Sequence, residues 1–213
     1  MAGISGLIFD CDGVLVDSEK LSCGAWLPVL RRHGVAVELP DIEAFIGQSD
    51  KAVVAHFQAR GAVLPADILV EREQAYFELA RGRLQSFSGL REALEALQQR
   101  RFPMAVASSG APAKIAFSLS EVGLLEFFPI RCSAIEVQRG KPAPDLFLLA
   151  ASRLGLTPQT CAVVEDAVPG LEAARAAGMK AIGFPSSHPE ALLRQAGAQV
   201  VIGSYAELLA QLE

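Results

Sequence analysis

The sequence predicts an α/β fold: a doubly wound parallel sheet with helices on both faces and a helical insert after the first strand. Three observations point there. From residue 85 onward, short apolar runs alternate with helical patterns, the order that builds parallel strands joined by crossover helices. Between Leu15 and Arg83 that rhythm stops, and only amphipathic segments follow one another. The chain has 213 residues, 51% of them hydrophobic, enough to bury a core in one large or two smaller domains.

Residues 4–10 are an apolar run ending in acids, and they form the first predicted strand. The insert follows, with amphipathic stretches at 21–33, 42–45, 52–60 and 67–81. Helix 89–100 sets Leu90, Leu94 and Leu97 at a period close to 3.6. Strand 103–109 precedes helix 112–121, strand 130–134 precedes helix 144–154, and strand 162–166 precedes helix 169–177. Strand 180–184 with helix 189–196, and strand 199–203 with helix 205–212, complete the pattern. Several of these helices carry proline near the first turn, where its missing N–H leaves nothing unsatisfied. The expected division is a core of residues 1–14 and 85–213 and a helical cap of residues 15–84.

Composition excludes several classes of function. Net charge is −5 with no block of like charge, which makes a poor partner for nucleic acid or an anionic membrane. Cys11, Cys23, Cys132 and Cys161 form no C-x-x-C pair, and His33, His56 and His188 lie far apart, so neither a zinc site nor a redox pair is expected. No signal peptide is visible and no apolar run reaches membrane-spanning length. The expectation is a cytoplasmic, reduced protein acting as a monomer on a small molecule.

The most informative segment runs from Leu7 to Ser18. Asp10 and Asp12 stand i, i+2 at the end of an apolar run, followed at once by Gly13. Strand alternation starts both carboxylates toward the same side, where they repel unless a cation sits between them. Mg²⁺ suits such a place, because it takes oxygen ligands and often only one or two carboxylates beside substrate phosphates. Alone, the tripeptide equally fits a charged turn.

Three further motifs stand at predicted strand ends: Ser108-Ser109-Gly110, Gly140-Lys141-Pro142-Ala143-Pro144-Asp145 and Glu165-Asp166-Ala167. Each has a bland account. The serines and the acids could cap helices, and Lys141 could be a solvated loop residue. Ligands of a doubly wound sheet bind outside the carboxyl ends of its strands, so all four motifs can converge on one crevice. Acids, hydroxyls and a lysine together suit Mg²⁺ and a phosphate.

In their order and spacing these motifs resemble the haloacid dehalogenase superfamily of phosphohydrolases, over essentially the whole chain. The resemblance is to the branch with a helical cap after the first motif, which includes phosphoglycolate phosphatase and β-phosphoglucomutase. It implies a three-layer, Rossmann-like sheet with strand order 6-5-4-1-2-3, and the insert falls where that family places its cap. By the resemblance, Asp10 is the nucleophile that forms an aspartyl-phosphate, and Asp12 is the general acid and base. The metal ligands are Asp10, Asp12 through its carbonyl, Asp166 and, as ligand or supporting acceptor, Glu165. Ser108 and Ser109 bind phosphoryl oxygens, and Lys141 offsets their charge. Cap-side residues Ser18, Glu19, Ser22, Trp26 and the loop Gly47-Gln48-Ser49-Asp50-Lys51 would choose the substrate, although Trp26 fits a cap core equally well. Gly13 and residues 83–88 are the expected hinges.

The rivals are weighed on particular residues. β-Phosphoglucomutase-like members carry a histidine and an arginine where this chain has Ser22 and Asp50, so a phosphatase is favoured over a mutase, with Lys51 as the one cation nearby. Dehalogenase chemistry requires neither the second aspartate nor a metal. A serine hydrolase lacks its elbow in Ala107-Ser108-Ser109-Gly110-Ala111. A non-enzymatic phosphate binder has no need of both Asp10 and Asp12. Ala167 stands where the family's last motif usually has a serine. The cap loop offers no row of arginines, so the expected substrate carries one phosphate on a small sugar-like or sugar-acid body. The run from Ile135 to Pro142 is similar to the 6-phosphogluconate phosphatase type.

Overall fold

The computed structural model describes residues 3–46 and 48–212. The chain enters as β1 (Gly6–Phe9), bends into the short β2 (Val16–Asp17) and passes through four helices, α1 (Glu19–Arg32), α2 (Leu39–Glu43), α3 (Asp50–Ala59) and α4 (Ile68–Ala80). It returns as β3 (Gln85–Ser86) and continues through α5 (Leu90–Gln99), β4 (Met104–Ser108), α6 (Pro112–Glu121), β5 (Arg131–Ser133) and α7 (Asp145–Leu154). It then runs through β6 (Cys161–Glu165), α8 (Val168–Ala176), β7 (Lys180–Gly183), α9 (Glu190–Ala196), β8 (Val200–Val201) and α10 (Tyr205–Ala210).

Six parallel strands form one sheet in the order β5-β4-β1-β6-β7-β8. Counting those six alone in chain order, this is the expected 6-5-4-1-2-3 seen from the other edge. Strand alternation builds the layers. Leu7 and Phe9 join Val106 and Val164 in one core, which also holds Leu90, Leu94 and Leu97 of α5. Ile8 joins Ala105, Ala107 and Val163 in the core on the other face, with Leu146 and Phe147 of α7 and Leu171 of α8. Registers Phe9↔Val106 and Phe9↔Val164 bring the ends of the three central strands level. Asp10, Ser108 and Glu165 therefore share one end of the sheet.

The four helices after β2 have a core of their own, with Trp26, Val29, Leu30, Ile42, Val53, Phe57 and Ile68 buried together. One element there has no counterpart in the sequence expectation. β2 and β3 pair antiparallel, Val16↔Ser86 and Asp17↔Gln85, where the chain leaves for the helices and where it returns. A ribbon two residues wide is too short for an alternating pattern to show it.

Candidate active site

The loop after β1 is closed by its own backbone: Leu15 and Val16 N–H donate to Cys11 O, and Gly13 N–H donates to Val16 O. Gly13 adopts φ +76°, and a Cβ there would lie 2.0 Å from Asp166 Oδ2. Only glycine fits, because the backbone must be left-handed and must press against a carboxylate. Gly13 thus shapes the site by letting the loop press against Asp166.

Asp10, Glu165 and Asp166 each offer a carboxylate oxygen, all within 4.8 Å of one another, and all three residues are buried. Lys141, carried by the loop before α7, places Nζ 2.5 Å from both Asp10 Oδ1 and Glu165 Oε1. Glu165 Oε2 accepts from Asp166 N–H and Ala167 N–H at the mouth of α8, so the capping account of this acid and the site account hold together. Burial pushes the Asp10 carboxyl up to about 7, against the pull of Lys141 and with Glu165 and Asp12 adding to the rise. Burial, then the charges of Glu165 and Asp10, also hold Asp166 well above the usual carboxylate range. Three buried oxygen donors crowded in this way favour a hard divalent cation. Ser186 Oγ donates to Gly13 O and, at 3.3 Å, to Asp166 Oδ2, while the His188 ring meets Asp166 O at 3.1 Å.

Asp12 belongs to a different cluster. Its Oδ1 accepts from Ser18 Oγ at 2.5 Å and its Oδ2 from Lys114 Nζ at 2.8 Å. Burial would raise its pKa, but Lys114 and Ser18 more than reverse that and hold Asp12 below its ordinary value. Its side chain is thus apart from the three clustered acids, as a carbonyl ligand requires. Ser108, the last residue of β4, is buried and its Oγ accepts from Gly110 N–H at 3.1 Å.

Asp12, Ser108 and Ser109 open onto a cavity of about 70 Å³, also lined from the helical side by Glu19, Ser22, Trp26, Gln48 and Asp50. Trp26 is 2% exposed within the helical core, as the core account expects, and it also lines the cavity, where its Nε1 donates to Asp50 Oδ1 at 3.3 Å. Gln48 is exposed at the rim. Lys51 is exposed and lies outside the inner cavity, on an adjoining cleft of about 490 Å³ between helices and sheet. Gly47 lies outside the described residues.

Two cations in this cavity were not expected. Lys114 stands on α6, and Arg72 on α4 donates from Nη2 to Ser22 Oγ at 2.5 Å. The helical side therefore does bring an arginine, from a helix and not from the loop. The sequence carries just a trace of them, their place on a helix face, and that place is identified as buried by the packing. Arg72 falls in the i, i+4 stripe of Ile68, Tyr76 and Ala80, all buried, and Lys114 shares the buried face of α6 with Ser118.

The sequence profile of the haloacid dehalogenase-like hydrolases matches residues 4–178. A fructose-1-phosphate phosphatase of Escherichia coli (strain K12) is 36% identical over 84% of this chain and 95% of its own. A validoxylamine A 7'-phosphate phosphatase of Streptomyces hygroscopicus subsp. limoneus is 33% identical over 89% of both chains. Among solved structures, a HAD family hydrolase of Deinococcus radiodurans R1, with phosphate and sodium bound, superposes with a TM-score of 0.76 at 33% identity, covering 100% of this chain and 96% of that one.

Proposed function

Because the chain belongs to the haloacid dehalogenase-like hydrolases, and is a phosphoric monoester hydrolase by that membership and its phosphatase relatives, we propose that it is a Mg²⁺-dependent phosphatase of a small sugar or sugar-acid phosphate, working through an aspartyl-phosphate on Asp10. The observation that carries this is the convergence of Asp10, Lys141, Glu165 and Asp166 in one buried cluster beside Ser108.

Asp10 attacks the phosphorus in line, and Lys141, already beside it, offsets the charge of nucleophile and phosphoryl group. Ser108 Oγ and the Ser109 N–H hold phosphoryl oxygens. Asp12 turns from Ser18 and Lys114, which releases the contacts that keep it ionised; it takes up a proton from solvent, passes it to the leaving oxygen, and then takes a proton from the water that cleaves the aspartyl-phosphate. Asp10, Asp166 and the Asp12 carbonyl would hold the metal, with Glu165 as ligand or supporting acceptor. When bound, Mg²⁺ neutralises charge developing on the phosphoryl oxygens.

Asp10 is 7% exposed, Ser108 1% and Glu165 1%, which supports a reading in which the helical unit moves to admit substrate. Residues 15–84 act as a cap, and the β2–β3 ribbon is its hinge. Closing it excludes water from the phosphoryl group. A phosphomutase is the weaker reading, since Ser22 bonds to Arg72 and Lys51 sits outside the inner cavity. No helix among the described residues is long and apolar enough to cross a membrane, and we place the enzyme in the cytoplasm as a monomer, with no nucleic-acid partner.

Asp10→Asn tests the nucleophile. Mg²⁺-dependent hydrolysis of p-nitrophenyl phosphate should fall by at least about a thousandfold with the circular dichroism spectrum intact. Undiminished turnover would overturn the assignment.

A further inference from the structure

Two cations that the phosphoryl-transfer scheme leaves without a task meet at the wall between helices and sheet. Arg72, in the second turn of α4, is 3% exposed, and Lys114, in the first turn of α6, is 7% exposed. Both line the cavity that holds Asp12 and Ser108. Arg72 Nη2 donates to Ser22 Oγ at 2.5 Å and to Ser22 O at 3.3 Å, and Lys114 Nζ lies 3.5 Å from the same hydroxyl. Both head groups therefore converge on Ser22.

Arg72 keeps an unmet hydrogen bond, and Lys114 depends on a partner that moves during the reaction. Arg72 Nε is buried and has no hydrogen-bond partner among the described residues. Asp50 Oδ1 is 3.3 Å from it, an ion-pair distance, but out of line for the N–H, and that oxygen already accepts from Trp26. A buried donor left unpaired is costly, and a ligand oxygen removes that cost. Lys114 is answered by Asp12, but Asp12 must swing to the leaving oxygen during the reaction, which strips Lys114 of its counter-ion. The Trp26 and Tyr76 rings lie 5.9 and 5.4 Å from the guanidinium and hold it in place.

We propose that Arg72 and Lys114 form a subsite for a second anionic group, a carboxylate, on the leaving portion of the substrate. This rests on the phosphatase reading of the same site. A planar carboxylate matches the guanidinium fork, and the free Arg72 Nε–H and the Lys114 ammonium offer one donor group to each of its two oxygens. The substrate class is then the phosphate monoester of a short polyhydroxy acid. A neutral sugar would offer no anionic oxygen to the Arg72 Nε–H, nor to Lys114 once Asp12 has turned away.

The test compares kcat/KM for 6-phosphogluconate with that for glucose 6-phosphate, which shares the carbon count and phosphate position but lacks the carboxylate. Wild-type protein should favour the acid by at least about tenfold, as expected for a charge-assisted hydrogen bond. In Arg72→Gln that ratio should shrink at least about tenfold, mainly through KM, and Arg72→Lys should restore part of it. Equal rates on acid and neutral substrate, a preference for fructose 1,6-bisphosphate over both, or an unchanged ratio in a folded Arg72→Gln would each overturn the subsite. The wild-type comparison decides the matter even if that variant fails to fold. Absence of turnover on every ester, p-nitrophenyl phosphate included, would instead overturn the phosphatase reading, and the subsite with it.

Discussion

Gly170 shows how closely individual atoms are placed around the acids. It lies in the first turn of α8, and a Cβ built on it would come within 1.8 Å of Glu165 Oε1. Glu165 is fixed on its other side by Lys141 and by two backbone N–H groups. Gly170→Ala must therefore displace either the helix or the carboxylate, and overpacking of this kind costs about 1–3 kcal/mol. Turnover should drop more than stability does, because Lys141 loses one of its two anchors. A melt and a rate measured on the same sample would show it, and a variant with wild-type kcat would refute it. Glu19 carries a second residue-level prediction. Burial and the Asp12 charge push its carboxyl from 4.5 up to about 7, so between those values the folded chain holds more protons than the unfolded one. Stability then falls as pH rises through that window and levels off above it, by at most about 3 kcal/mol. Glu19→Gln should flatten this part of the profile and raise Tm at pH 8. An unchanged slope in denaturant unfolding between pH 4.5 and 7 would show that Glu19 titrates normally.

The contact between α4 and α6 is where two secondary elements turn a helical insert into part of the site. Tyr76 Oη and Ser118 Oγ share a buried hydrogen bond of 2.8 Å across it, and Lys114 Nζ sits 5.0 Å from the Tyr76 ring. Tyr76→Phe keeps the ring and deletes the bond, leaving Ser118 Oγ buried and unpaired, so it should cost about 1–3 kcal/mol. A loss below about 0.5 kcal/mol in chemical denaturation would mean that water enters the contact. This contact also marks how far the sequence could be read. The strands and helices of the sheet domain were legible because each has a period or an apolar run, and α6 occupies the expected bounds Pro112–Glu121. Asp10, Ser108, Lys141, Glu165 and Asp166 were legible because they sit at strand ends or in motif loops, where the topology alone brings them together. Arg72 and Lys114 were not. A single cation on an amphipathic helix ordinarily faces water, and only the docking of α4 against α6 turns these two inward. The two-residue ribbon gave no pattern at all.

Across the whole molecule, three buried acids and a movable cap should be coupled through the metal. Without a cation, the repulsion around Asp10, Glu165 and Asp166 weighs against the folded state, and Mg²⁺ binding should stabilise it by mass action, about 2.7 kcal/mol at a hundred times Kd. Asp166→Asn removes one charge from the cluster and one ligand from the metal. It should raise Tm in chelator and abolish the further rise on adding Mg²⁺. A variant that still gains the full Mg²⁺ increment would place the metal elsewhere. The cap half of this coupling has a built-in reporter, because Trp26 is the only tryptophan in the chain and is buried beside Asp50 and Arg72 at the cavity wall. If the helical unit pivots on the β2–β3 ribbon, inorganic phosphate with Mg²⁺ should change Trp26 emission saturably, and Mg²⁺ alone should change it less. Emission that stays flat while the melt reports phosphate binding would mean that the cap does not move, and that substrate reaches Asp10 by another route.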